Sequence, residues 1–167
     1  MDMSDLPDQH LLEAVLDSWD RNNIILLNLL RVIPEGGLEA KATEESPSVA
    51  EMFTHIHFVR LIFVSEDAPE FARGLPKEEW AAERDRNCIA QMLKDSAKAV
   101  RDAARGRLEA GRDMDVHYDH PIFLLQHMIW HEGYHHGQIK LALKLTGRPI
   151  ADDEAGPVSW RVWMNKK

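Results

Sequence analysis

Cysteine is almost absent from this sequence, which contains Cys88 and no second thiol. An intramolecular disulfide is therefore excluded, and so are redox pairs and metal sites built from several thiolates. We therefore do not expect a small secreted domain that is stabilised by disulfides. A reducing cytoplasm is the compartment that we expect for such a chain.

Long apolar runs and clusters of basic residues are missing as well. No segment reaches the roughly 18 uninterrupted apolar residues that a membrane-spanning helix needs, and the acidic residues 1–8 do not resemble a signal peptide. The formal net charge is −8 and the pI about 5.5, so no basic stripe is available to neutralise phosphates. We therefore expect neither a membrane nor a nucleic acid as partner.

The sequence also lacks segments in which apolar and polar residues alternate, the pattern that would indicate strands. Apolar residues recur instead at three- and four-residue steps in four segments, a pattern typical of amphipathic helices. With 167 residues, of which 44% are hydrophobic and 29% charged, the chain is predicted to form one soluble domain, residues 1–167. The predicted fold is all-α, a four-helix bundle of the antiparallel type.

The helix boundaries follow from caps and breakers. Ser46 as N-cap and Pro47 at the first helical position predict where the second helix begins. Pro121 opens the last helix in the same way. The four predicted helices span residues 8–32, 46–64, 77–110 and 121–146. In the tail, Trp160 and Trp163 are predicted to pack against the bundle or a partner chain.

Two histidines of the fourth helix have the spacing of a metal clamp. His131 and His135 are four residues apart, so both leave the same helical face with Cβ atoms about 5–6 Å apart. This face is otherwise apolar, and one histidine there is usually a buried side chain bonded to a carbonyl. Two or more stacked together would each need a buried partner, a need that one shared divalent metal ion meets.

A third ligand is expected from the second helix, which contains His55 and His57. The helical wheel favours His55 only mildly, so both remain open on the pattern alone. A site with three histidines would leave coordination positions for water or substrate, which favours a chemical role over a purely structural one.

The order of these residues resembles a known family. The segment Ser48-Val-Ala-Glu-Met-Phe-Thr-His55-Ile, then His131-x-x-x-His135-x-Gly137-Gln138, is similar to the DinB/YfiT-like metal-dependent four-helix bundles. Relatives commonly have arginine before the Gly-Gln pair, where this chain has His136, a difference that leaves the clamp intact.

The resemblance implies a long crossover between helices two and three, and His55, His131 and His135 as metal ligands. It also implies zinc or nickel, with iron or manganese as further candidates, and a homodimer. Several relatives transfer a low-molecular-weight thiol of the bacillithiol, mycothiol or glutathione class to an electrophile, or isomerise maleylpyruvate. The expected function is a metal-dependent thiol transferase with a small-molecule thiol and an electrophile as partners. No catalytic residue is predicted.

Two other functions remain open on the sequence. His131-Glu132-Gly133-Tyr134-His135 satisfies the H-E-x-x-H motif of zinc metallopeptidases, in which the glutamate is the general base. The extended motif would need glycine at 138 and histidine at 141, where this chain has other residues. A non-catalytic metal-binding bundle with a stress-response role is the second alternative.

Overall fold

A computed structural model describes residues 9–166 of the chain, and every described element of regular structure is helical. The all-α prediction is therefore confirmed. Four long helices and two short ones follow one another: α1 (Gln9–Val32), α2 (Val49–Asp67), α3 (Arg86–Glu109), α4 (Pro121–Leu145), α5 (Asp152–Val158) and α6 (Arg161–Met164). Single 3₁₀ turns occur at Gly37–Glu39 and Pro69–Phe71.

Two predicted helix starts are wrong. The second helix begins after Ser48 rather than at Ser46, because Ser48 and Glu51 form a reciprocal capping box. The third helix begins at Arg86 rather than residue 77, because the Asp85 side chain accepts hydrogen bonds from the backbone N–H groups of the first helical turn. The predicted first residue of α1, Asp8, lies outside the described residues.

Helices α2 and α3 run parallel. His57 of α2 is hydrogen-bonded to the backbone of Met92, and Phe71, just beyond α2, packs on Gly106 near the end of α3. Residues later in α2 therefore lie beside residues later in α3. Residues 68–85 must therefore return along the bundle before α3 can begin, and they form the predicted long crossover.

Helices α1 and α4 are parallel to each other and antiparallel to the other pair. Leu12 and Pro121 line one cavity near the start of both helices, and Asn22 hydrogen-bonds Glu132 further along. α2 and α4 are antiparallel, since His55 lies near His135 and the later residue Phe63 lies near the earlier residue His127. The bundle thus has an up-down-down-up order rather than strict alternation. None of the described helices is both long and apolar enough to cross a membrane.

A buried arginine joins all four long helices at mid-height. Arg60 of α2 is fully buried and donates two hydrogen bonds to Glu132 of α4, with N···O distances of 2.6 and 2.8 Å. It also donates to Asn23 of α1 and to the carbonyl oxygen of Leu93 in α3, and its guanidinium lies over the Trp19 ring. Apolar core clusters occur on both sides of this polar layer.

The C-terminal tail packs on the outer side of α1. Arg21 and Asn28 of α1 donate hydrogen bonds to the carbonyl oxygens of Val162 and Val158, which tie both short helices down. Val162 is buried, whereas Trp160 and Trp163 keep half or slightly less of their surface exposed. The tail as a whole packs against the bundle, while its two tryptophans remain partly open to solvent.

Candidate metal centre

Helices α2 and α4 bring three histidines together. The Nε2 atom of His131 lies 3.3 Å from Nε2 of His55 and 3.1 Å from Nε2 of His135. His55 and His135 are buried and His131 is half-buried, and the ligand atoms of the three lie within 4.8 Å of one another. These three side chains could hold a metal ion.

Outer hydrogen bonds set the tautomers of two of these rings. Nδ1 of His55 lies 2.8 Å from Oε1 of Glu79, and Nδ1 of His135 lies 2.7 Å from Oε1 of Gln138. Both oxygens accept, so both Nδ1 atoms must carry the hydrogen, and the Nε2 lone pairs of His55 and His135 face His131. Nδ1 of His131 is buried and has no hydrogen-bond partner among the described residues.

The arrangement fits a small divalent cation. Metal–nitrogen bonds of about 2.0–2.1 Å at the tetrahedral angle place two nitrogens about 3.3–3.4 Å apart, close to the observed separations. Burial lowers the pKa of His131 to about 3 and that of His135 to about 4, and the neighbouring histidines add to both effects. Burial also lowers the pKa of His55, partly opposed by Glu79. The cluster is therefore neutral at pH 7, the form that binds metal.

The crossover contributes residues that the sequence patterns did not reveal. The indole of Trp80 stacks on the His55 ring, with centroids 3.8 Å apart and planes 4° from parallel. The Thr54 hydroxyl donates to the carbonyl oxygen of Ala81 at 2.8 Å. Trp80 and Glu79 were assigned to the third helix, and only their long-range contacts identify them as part of the site.

Two other histidines of α2 and α4 lie apart from the cluster. His57 is buried, and its Nδ1 donates to the carbonyl oxygen of Met92 at 2.7 Å, on the α3 side of α2. His127 is exposed, and its Nδ1 lies at hydrogen-bond distance, 2.7 Å, from the Tyr118 hydroxyl. The structure therefore groups His55, not His57, with the pair on α4.

The glutamate of the H-E-x-x-H motif is engaged in the buried layer. Glu132 is 1% exposed, and its two carboxylate oxygens accept hydrogen bonds from Arg60 and Asn22. A general base must instead reach a water molecule at the metal. Glu132 does not face the cluster because adjacent residues of a helix are 100° apart, and this rotation from His131 directs its side chain toward the core. This geometry disfavours the metallopeptidase.

Comparisons with known proteins agree with this architecture. The family model described as the DinB family matches residues 3–156. The crystal structure of a DinB family protein from Exiguobacterium sibiricum superposes with a TM-score of 0.60 at 19% identity, covering 89% of this chain and 99% of that one. At this identity the likeness shows the fold. No curated protein matches the chain.

Proposed function

Since the chain belongs to the DinB family, we propose that His55, His131 and His135 bind one divalent metal ion in a transferase that uses a small thiol. The observation that carries the proposal is the convergence of three neutral imidazoles, two of them with Nε2 lone pairs aimed at the third ring. Zinc and nickel are the proposed ions, because imidazole nitrogen suits both.

The charge of the site explains why a thiol is a suitable substrate. Three neutral ligands leave the full 2+ charge on a bound ion, which would favour the thiolate form of a thiol at neutral pH. The thiol class, namely bacillithiol, mycothiol or glutathione, follows from the family resemblance. In the proposed reaction the sulfur bonds to an electrophilic carbon, the leaving group departs with its electron pair, and the thiol proton passes to solvent.

Residues beside the histidines are placed to orient a substrate. Gln138 accepts from His135 and donates from its Nε2 to the Tyr134 hydroxyl at 3.0 Å, and Tyr134 is 56% exposed. The phenol hydrogen remains free to donate to a group bound near the metal. Trp80, on the other side of His55, offers an apolar surface for the electrophile.

Conjugation of a thiol to 1-chloro-2,4-dinitrobenzene tests the proposed activity. We expect the zinc- or nickel-loaded protein to conjugate bacillithiol, mycothiol or glutathione faster than the metal-free protein, with release of chloride. His135→Ala should lower the rate to the metal-free level, because it removes a ligand without touching Arg60 or Glu132. The measurement is product absorbance over time.

Three outcomes separate the alternatives. Metal-dependent cleavage of a casein substrate without thiol conjugation would indicate a hydrolase instead. Metal binding without either reaction would favour the non-catalytic bundle. A conjugation rate unchanged by metal removal or by His135→Ala would contradict the proposal directly.

We further propose that the protein is a homodimer that pairs through the outer face of α4. Phe123, Trp130 and Leu141 lie on one stripe of this helix, each at least half exposed, and Trp130 is 73% exposed. Large apolar side chains exposed along one helical face are typical of a protein–protein interface. A second copy of α4 would cover this stripe in a two-fold, self-complementary interface.

A charge placed on this stripe is expected to dissociate the dimer. Trp130→Lys should produce a monomer, because each protomer would bury one ammonium group in the apolar interface. Light scattering after size exclusion measures the mass. Trp163→Lys, on the exposed side of the tail, is the matched control and should remain dimeric. If only the Trp163 variant dissociates, the interface lies on the tail instead.

A further inference from the structure

The crossover reaches the histidine cluster through the side chain of Glu79. Oε1 of Glu79 lies 2.8 Å from Nδ1 of His55, yet the Glu79 side chain is 42% exposed. A carboxylate so open to water contributes little to stability by bonding a neutral imidazole. We infer that Glu79 is a positioning residue that sets the metal affinity of the site through His55. The inference rests on the proposed metal binding.

Three consecutive residues hold the His55 ring and its helix. Glu79 bonds the ring edge, Trp80 covers one ring face, and the carbonyl oxygen of Ala81 accepts from Thr54, the neighbour of His55. The remaining edge of the ring carries Nε2 and faces His131. The ring is thus fixed both in rotation and in tautomer, with its lone pair directed at the cluster.

Glu79 differs from Gln138, which plays the corresponding role for His135. Gln138 belongs to the same helix as its histidine and offers a neutral amide oxygen. Glu79 comes from a separate, irregular segment and offers a carboxylate, which increases the donor strength of the imidazole more. The crossover, rather than the bundle, therefore adjusts how strongly the site holds a cation.

The coupling must also act in the reverse direction. If the Glu79 contact strengthens metal binding by a given factor, bound metal strengthens the Glu79 contact by the same factor. Bound metal should then hold residues 79–81 in place against the bundle. Arg73, Lys77 and Arg84 offer trypsin sites within the crossover, so its protection from cleavage reports this coupling.

Zinc titration against a chelating competitor tests the inference. Loss of an outer hydrogen-bond partner typically weakens metal binding by about 10- to 100-fold, which is the change expected for Glu79→Ala. Glu79→Gln keeps an acceptor oxygen without the charge, so its affinity should lie between that of Glu79→Ala and wild type. Glu78→Ala removes the same charge one residue away and should bind zinc as wild type does.

Thermal unfolding and trypsin digestion complete the test. The metal-free Glu79→Ala protein should unfold at the wild-type temperature, and zinc should protect its crossover much less than it protects wild type. Equal zinc affinity in Glu79→Ala and wild type would overturn the inference while leaving the metal site intact. A lower metal-free unfolding temperature with unchanged affinity would show a structural contact instead. A wild-type protein that binds neither zinc nor nickel would overturn the proposed function itself.

Discussion

Replacing Arg60 by alanine is expected to lower the free energy of unfolding by about 3–5 kcal/mol. The Glu132 carboxylate, 1% exposed in the wild-type protein, would keep one donor, the Asn22 amide. The substitution also removes the hydrogen bond to the carbonyl oxygen of Leu93 and the contact with Trp19. An unpaired buried charge of this kind is among the largest single penalties in a folded protein. Urea unfolding followed by circular dichroism measures the change.

Two further variants separate the buried charge from the loss of an arginine in general. Arg101 pairs with Asp20 at the surface, so Arg101→Ala should cost at most about 1 kcal/mol. Arg60→Met combined with Glu132→Leu should recover much of the lost stability, since no charge remains to be satisfied. If Arg60→Ala destabilises no more than Arg101→Ala, the buried layer does not hold the four helices together.

Removal of His135 is expected to weaken metal binding by well over 100-fold. Loss of an outer partner alone typically weakens binding by up to about 100-fold, and His135→Ala removes a proposed ligand itself. His131→Ala should have the same effect, because the Nε2 of His131 lies close to those of both other histidines. Metal content of protein purified without added metal, together with zinc titration, measures both variants.

Neighbouring histidines provide the controls for this loss. His136→Ala removes an imidazole next to His135, and His57→Ala removes one from the same helix as His55. Both variants should retain metal, since neither ring belongs to the cluster. Metal lost from His57→Ala but kept by His55→Ala would reassign the third ligand. Wild-type metal content in both α4 variants would eliminate the site.

The two histidines of α4 could be predicted from the sequence as a pair because their proximity depends only on their spacing within one helix. Spacing four residues apart on one helix determines that His131 and His135 share a face. The choice between His55 and His57 could not be made the same way, because α2 is buried on most sides and both histidines are in the interior. The structure separates them by the helix each faces, which depends on how α2 packs against α3 and α4.

Glu79 and Arg60 illustrate what sequence patterns leave out. Residues 77–85 have a composition that a helix accepts, yet they follow an irregular path in which contacts with Thr54 and His55 on a distant helix hold residues 79–81. Arg60 belongs to no motif, and its importance comes from four hydrogen bonds to three residues, each on a different helix. Long-range pairing of this kind leaves no periodic signal in one chain.

The parallel arrangement of α2 and α3 has an evolutionary consequence. Helix α2, with 19 residues, is about 28 Å long, whereas a connection the size of residues 68–85 can extend to about 60 Å. The connection is therefore about twice as long as the helix that it must span. Because Glu79 and Trp80 lie in this connection and not in a helix, substitutions there can alter the surroundings of His55 without changing the four long helices. The surroundings of the site can thus change in evolution separately from the bundle.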